Sequence, residues 1–181
     1  MAGDVVKNIG FRQIVQLIGA ADGDGGGEFA IAQAIKEKEG GNIAAYPKDI
    51  RLIYKQFPLS MHPHASLAAA ASLAANQQGK FWQMHDLLFK NSRKLSRENI
   101  LALAKEIGLD MDKFTADLDS PKYKAVIDKD LADGETAGVY GTPSFFVNGK
   151  HYNGPLSLDS IKPILDAELK VAKPHQVAST H

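Results

Sequence analysis

The side chains most used for nucleophilic, redox and metal chemistry are sparse in this sequence, and one type is missing. There is no cysteine among 181 residues, which excludes disulfides, zinc–thiolate and iron–sulfur ligation and every thiol nucleophile together. Six histidines remain. His62 and His64 flank Pro63 and could offer two imidazoles to a metal. No acidic residue stands nearby in sequence, however, and Pro63 suits the first turn of a helix, so a helix entry is expected there and no metal site. His85 lies in an aromatic run and reads as a packed or surface side chain rather than a general base; His151, His175 and His181 have no recognisable partners. The run Asp22-Gly-Asp-Gly-Gly-Gly-Glu28 lacks the spacing and terminal glutamate of a calcium loop and the Gly-Lys-Ser/Thr of a phosphate loop, and reads as a linker. No cofactor is expected.

Any site must therefore be assembled by elements rather than announced by a reactive side chain. Nine of the sixteen glycines fall before residue 42, so the first 45 residues differ in character from the rest. Phe11–Ile18 is apolar and β-branched and reads as a buried strand, with a short helix as the alternative. Glu28 to Glu39 suits an amphipathic helix ended by Gly40-Gly41, and Asp49–Phe57 a strand stopped by Pro58. Then the pattern turns helical. His64 to Gln77 is alanine-dense, as in a helix packed tightly on its neighbours, and Gly79 ends it. Lys80 to Asn91 carries Phe81, Trp82, Met84, Leu87, Leu88 and Phe89 on a broad apolar face. Ser96 caps a helix bearing Ile100, Leu101, Leu103, Ala104 and Ile107 and closed by Gly108; Met111 to Leu118 makes a short helix. Lys122 to Ala137 makes a longer one with Tyr123, Val126, Ile127 and Leu131 inward. Ser144–Val147, Asn148-Gly149 and Lys150–Tyr152 read as a hairpin. A last helix runs from about Leu158 to Val171, with Pro163 tolerable only near its start or at a kink, and Lys173 to His181 reads as a tail.

Composition narrows the function classes. Twenty-one basic side chains balance twenty-one acidic ones, so no broad field favours nucleic acid or an anionic bilayer. No stretch approaches the roughly 20 consecutive apolar residues of a membrane span. Met1-Ala-Gly-Asp-Val lacks the basic and apolar regions of a signal peptide, so no export address is visible in this form.

Four stretches carry a resemblance. They are Tyr-Pro-Lys-Asp-Ile-Arg-Leu-Ile-Tyr-Lys-Gln-Phe-Pro-Leu (46 to 59), His-Pro-His-Ala (62 to 65), Gly-Lys-Phe-Trp-Gln-Met-His-Asp-Leu-Leu-Phe (79 to 89) and Gly-Val-Tyr-Gly-Thr-Pro-Ser-Phe-Phe-Val-Asn-Gly (138 to 149). Through them residues 46 to 170, about two thirds of the chain, resemble the DsbA-like family of thiol-disulfide oxidoreductases. The resemblance implies an α/β, thioredoxin-like fold with an inserted helical block between its βαβ and ββα halves. The implied division is an N-terminal βαβ part over 1–60 with residues 1–45 atypical, a helical insertion over 61–137, a ββα part over 138–172, and a tail over 173–181. It also implies a cis bond at Thr142-Pro143, with the Thr142 backbone offered to extended substrate by strand addition and Tyr140 nearby.

The family's Cys-x-x-Cys motif opens the first helix, where the helix N-terminus favours thiolate. Counting back from Tyr46 by the family's usual helix length puts that motif on Phe29-Ala-Ile-Ala32, and neither Phe29 nor Ala32 is cysteine. Without thiolate there is no mixed disulfide, so the chain is expected to be redox-inactive while keeping a peptide- or protein-binding edge at Tyr140, Thr142 and Pro143. The partner implied is protein or peptide, with no nucleic acid, and the location periplasmic or extracytoplasmic. Two alternatives differ in class. One is a cysteine-free enzyme of the glutathione transferase kappa or isomerase type, against which stands the lack of Ser or Tyr at the expected helix start. The other is a structural assembly subunit docking through its glycine-rich N-terminal segment.

Overall fold

The computed structural model describes residues 13–19, 50–155 and 157–171. Strands β1 (Gln13–Gly19) and β2 (Ile50–Gln56) lead into helices α1 (Ala65–Asn76), α2 (Phe81–Lys90), α3 (Arg97–Glu106), α4 (Met111–Leu118) and α5 (Lys122–Thr136). A 3₁₀ turn at Ser92–Lys94 lies between α2 and α3. Strands β3 (Ser144–Val147) and β4 (Lys150–Tyr152) and helix α6 (Leu158–Val171) complete the described chain. The reading of Phe11–Ile18 as strand rather than helix agrees with β1. The expected helix over Glu28 to Glu39, the glycine run and the tail lie outside the described residues.

The four strands form one sheet in the order β2-β1-β3-β4. β1 and β2 run parallel, Gln13 beside Ile50 and Gly19 beside Gln56, while β3 is antiparallel to β1 with Ser144 opposite Ile18. A parallel pair needs a crossover connection, whereas β3 and β4 need only a tight turn. Asn148 and Gly149 form it at φ 49° and 76°, the left-handed conformations that a two-residue hairpin of this kind requires.

Each helix has a local cause. The Ser96 hydroxyl accepts from the Asn99 N–H at the start of α3, and the Asp110 carboxylate accepts from the Lys113 N–H at the start of α4. Alanine density makes α1 the centre of the helical block, because Ala68, Ala71, Ala74 and Ala75 are essentially inaccessible and small enough for close helix contact. Around it pack Met84 and Leu88 of α2, Ile100 and Ala104 of α3, Phe114 of α4 and Tyr123 of α5. Removing this apolar surface from water contributes about 25 cal/mol per Å² as an upper estimate.

Sheet and block meet at an aromatic joint. Tyr54 of β2 lies 4.8 Å from the His85 ring and 5.7 Å from Phe81, centroid to centroid, and His85 lies 4.6 Å from Phe89. On the sheet, Ile50, Leu52, Phe145 and Val147 pack with Ile161 and Leu165 of α6. A smaller cluster of Phe57, Val139 and Phe146, with Leu59 and Leu131 against it, ties the segment after β2 to the segment before β3.

One local expectation is corrected. Val126 is 43% exposed rather than inward. The buried stripe of α5 runs Tyr123, Ile127, Gly134, and Phe57 packs so closely on Gly134 that a Cβ there would lie 2.7 Å from its ring. Val126 lies off that stripe and faces solvent. Pro163 sits at the sixth residue of α6, beyond the first turn. It is on an exposed face, so the carbonyl one turn back that loses its amide donor can be solvated.

Candidate functional site

Strand directions decide where a site can form. The C-terminal ends of β1 and β2 and the N-terminal end of β3 lie together at one end of the sheet. In open α/β sheets ligands bind outside the carboxyl ends of the strands. Two segments cross this end: residues 57–64, leaving β2, and residues 138–143, entering β3. Gly138 at φ 77° ends α5 through Gly138 N–H to Glu135 carbonyl and Val139 N–H to Gly134 carbonyl bonds, a Schellman ending that sends the chain back toward the sheet.

Of the residues expected to bind, Tyr140, Thr142 and Pro143 are all in the second segment. Tyr140 is 95% exposed, its ring standing in solvent. Thr142 and Pro143 are half-buried, and the peptide bond between them is cis. The Ser144 hydroxyl donates to the Gly141 carbonyl at 2.8 Å and closes the loop on itself. Phe29 and Ala32, the positions matching the lost motif, lie outside the described residues. The register nevertheless carries β1 up to Gly19 beside Gln56 and Ile18 beside Ser144, so the segment following β1 starts at this same end.

An ionic strap holds the end of β2 in place. Lys55 Nζ donates to Asp130 Oδ1 and Asp133 Oδ2, both at 2.8 Å, and the Gln56 N–H donates to Asp130 Oδ2 at 3.0 Å. Burial pulls the Lys55 ammonium downward, but its hydrogen bonds to both carboxylates, with their charges, together outweigh it and hold the pKa above the ordinary lysine value. Hydrogen bonds from Lys129 and then Lys55 hold the Asp133 carboxyl below its ordinary value. The strap was not legible in sequence, since Lys55 and Asp130 are 75 residues apart.

The histidines sort themselves by environment. His64 precedes the first turn of α1, its carbonyl accepting from the Ala68 N–H, so Pro63 and His64 form the helix entry. Among the described residues no group of three His, Cys, Asp or Glu side chains could hold a metal ion. His85 is packed, 2% exposed, with Nδ1 3.0 Å from Asp86 Oδ1. It borders a cavity of about 10 Å³ between β2, α1 and α2, whose wall also includes Gln56 and Ser72. Such a volume suits one water at most, and none of its lining residues belongs to the loop of Tyr140 and Pro143. His151 stacks on Phe146 at 4.8 Å.

A mixed sheet with parallel β1 and β2, an antiparallel hairpin beyond, a helical block between β2 and β3, and a Thr-Pro loop entering β3 defines a thioredoxin-like α/β fold with a helical insertion. A family model for the DSBA-like thioredoxin domain matches residues 29–166. The chain belongs to that family. Among solved structures it is similar to a thioredoxin-like oxidoreductase from Silicibacter pomeroyi DSS-3, with a TM-score of 0.72 and 26% identity over 91% of each chain. It shares the fold of the thiol-disulfide exchange protein alpha-DsbA2 from Wolbachia pipientis, with a TM-score of 0.75 and 22% identity over 88% of this chain and 83% of that one. Curated relatives carry a different description. The Na(+)/H(+) antiporter NhaA of Herminiimonas arsenicoxydans is 36% identical over 136 residues, 75% of this chain but 22% of the antiporter. The antiporter NhaA 3 of Salinispora tropica is 36% identical over 113 residues, 62% of this chain and 17% of its own length. The chain thus spans about a fifth of the length of these relatives. Among the described residues no helix is long and apolar enough to cross a membrane.

Proposed function

We propose that this chain is a redox-inactive DsbA-like domain that captures extended protein segments at the sheet end formed by β1, β2 and β3. The absence of cysteine removes the nucleophile on which thiol-disulfide exchange depends. What remains is a backbone edge. The observation that carries the reading is the loop of Tyr140, Thr142 and Pro143 at the carboxyl ends of two parallel strands, with the Tyr140 ring 95% exposed beside it. A peptide main chain can pair with such an edge by strand addition while an aromatic side chain covers its apolar groups. The domain division given above, 1–60, 61–137, 138–172 and 173–181, and an extracytoplasmic location belong to this reading.

A direct test is titration with a fluorescein-labelled peptide of alternating Thr and Val, capped at both ends. Saturable binding is expected, weakened about tenfold by Tyr140→Ala, the loss of one aromatic contact of about 1.4 kcal/mol. In an insulin-reduction assay the chain should show no activity. Phe29→Cys together with Ala32→Cys should confer it; a folded double variant without activity would count against placing the lost motif at those positions.

The curated relatives favour a second reading, in which the domain operates with a Na(+)/H(+) antiporter as its protein partner. The supporting observation is the 36% identity to a segment of such antiporters, against 26% to the Silicibacter oxidoreductase. Retention of the purified chain by an antiporter reconstituted in nanodiscs, and not by empty nanodiscs, would support it. Equal retention by both would remove it.

A further inference from the structure

We propose that Met61 is an oxidant-responsive methionine, and that its conversion to the sulfoxide weakens peptide capture at the sheet end. The second half of this rests on the peptide-binding reading above; the first half does not. In a chain with no thiol, the thioethers are the only side-chain sulfur. Exposure separates them. Met61 is 77% exposed, Met84 is fully buried in the helical block and Met111 is half-buried. Methionine oxidation follows access to the sulfur, so Met61 is the described thioether that a dissolved peroxide reaches first.

Its position gives the reaction a consequence. The His62 N–H donates to the Leu59 carbonyl at 3.1 Å, closing a turn over residues 59–62 with Met61 at its tip. Leu59 packs against the cluster of Phe57, Val139 and Phe146, and Tyr140 directly follows Val139. Met61 and Tyr140 therefore project from two segments that one apolar cluster pins together at the same end of the sheet. Neither 57–64 nor 137–144 contains Asp, Glu, Lys or Arg. With no carboxylate, lysine or arginine on either segment, apolar surface is a large part of what this rim offers, and the Met61 thioether is an exposed share of it.

The chemistry is an oxygen-atom transfer from a peroxide. The Met61 sulfur forms a bond to one peroxide oxygen, the O–O bond breaks, and the other oxygen leaves as water. Sulfur is oxidised by two electrons and the peroxide is reduced by two, with no thiol or metal required. The product replaces a flexible apolar group with a polar, hydrogen-bond-accepting one, which must be desolvated when an apolar segment covers it. Sulfoxide reductases reverse the change, so the modification can act as a switch.

The full chain is treated with increasing hydrogen peroxide, its sulfoxides are mapped by peptide mass spectrometry, and affinity is measured for the Thr/Val peptide used above. Met61 sulfoxide is expected to form about tenfold faster than Met84 sulfoxide, and the oxidised chain to bind about tenfold more weakly until a sulfoxide reductase restores it. In M61L, judged against its own untreated affinity, the same treatment should change binding by less than about twofold. Oxidation of Met61 no faster than Met84, or unchanged affinity after complete Met61 oxidation, would overturn the proposal. If the untreated chain binds no peptide, the peptide reading falls and takes the regulatory consequence with it, while the mass map still decides the modification site.

Discussion

Gly134 is where the lack of a side chain decides a packing contact. It lies inside α5, where glycine costs about 1 kcal/mol relative to alanine in propensity. It is tolerated because the Phe57 ring occupies the space a Cβ would need, at 2.7 Å. Gly134→Ala should therefore destabilise despite the better helix former, by about 1–3 kcal/mol of overpacking, measured as a lowered urea midpoint at constant slope. A midpoint raised by the substitution would mean that Phe57 yields easily. Val126, which apolar periodicity alone assigns to the core, lies off the stripe of Tyr123, Ile127 and Gly134 and meets solvent. Periodicity registers that a helix has an apolar stripe; it does not register that a glycine can be part of it as a packing surface.

At the scale of elements, much was legible because the signals are local. Met111–Leu118 is bounded by its own cap and breaker residues, and Asn148-Gly149 can make only a tight turn. The strap between β2 and α5 has no local signal, because strand register and helix packing bring Lys55 to Asp130 and Asp133. Its pH dependence has two limbs of definite sign. Asp133 titrates below its unfolded value, so its contribution to stability is complete above about pH 5 and is lost as pH falls through the folded value. Lys55 titrates above its unfolded value, so its contribution is complete below about pH 10 and is lost as pH rises through the folded value. Asp133→Asn should flatten the acid limb of the stability–pH curve and also shrink the alkaline limb, because Asp133 is one of the two carboxylates that hold the Lys55 value up. Asp130→Ala should cost about 2 kcal/mol near neutrality, because it leaves the Gln56 N–H and part of the Lys55 ammonium without their acceptor. Hydrogen exchange at the end of β2 should quicken in the same variant; an unchanged rate there would show that the strap does not hold the strand.

For the whole molecule, the architecture was readable from four motif stretches and the order of elements, whereas the composition of the sheet end was not. Residues 57–64 and 138–143 are about 80 positions apart, and the register of β3 on β1, with the Phe57–Val139–Phe146 cluster, makes them neighbours. Met61 accordingly carries no local signal of its place in the sheet end. The alanine-rich α1 sets the tolerance of the helical block: Ala71→Leu, at a site with no accessible surface, should cost about 1–3 kcal/mol and lower the thermal midpoint, whereas Ser66→Leu on its exposed side should change it little. Strand order, inserted block and loop together describe a thioredoxin-like scaffold with no cysteine in it, on which the proposed function places a peptide-binding edge. Calorimetric titration of the intact chain with the capped Thr/Val peptide examines that claim most directly. The account predicts saturable binding that Tyr140→Ala weakens about tenfold without lowering the thermal midpoint. Heats no larger than dilution, from a chain whose circular dichroism and unfolding transition are those of a folded protein, would contradict it.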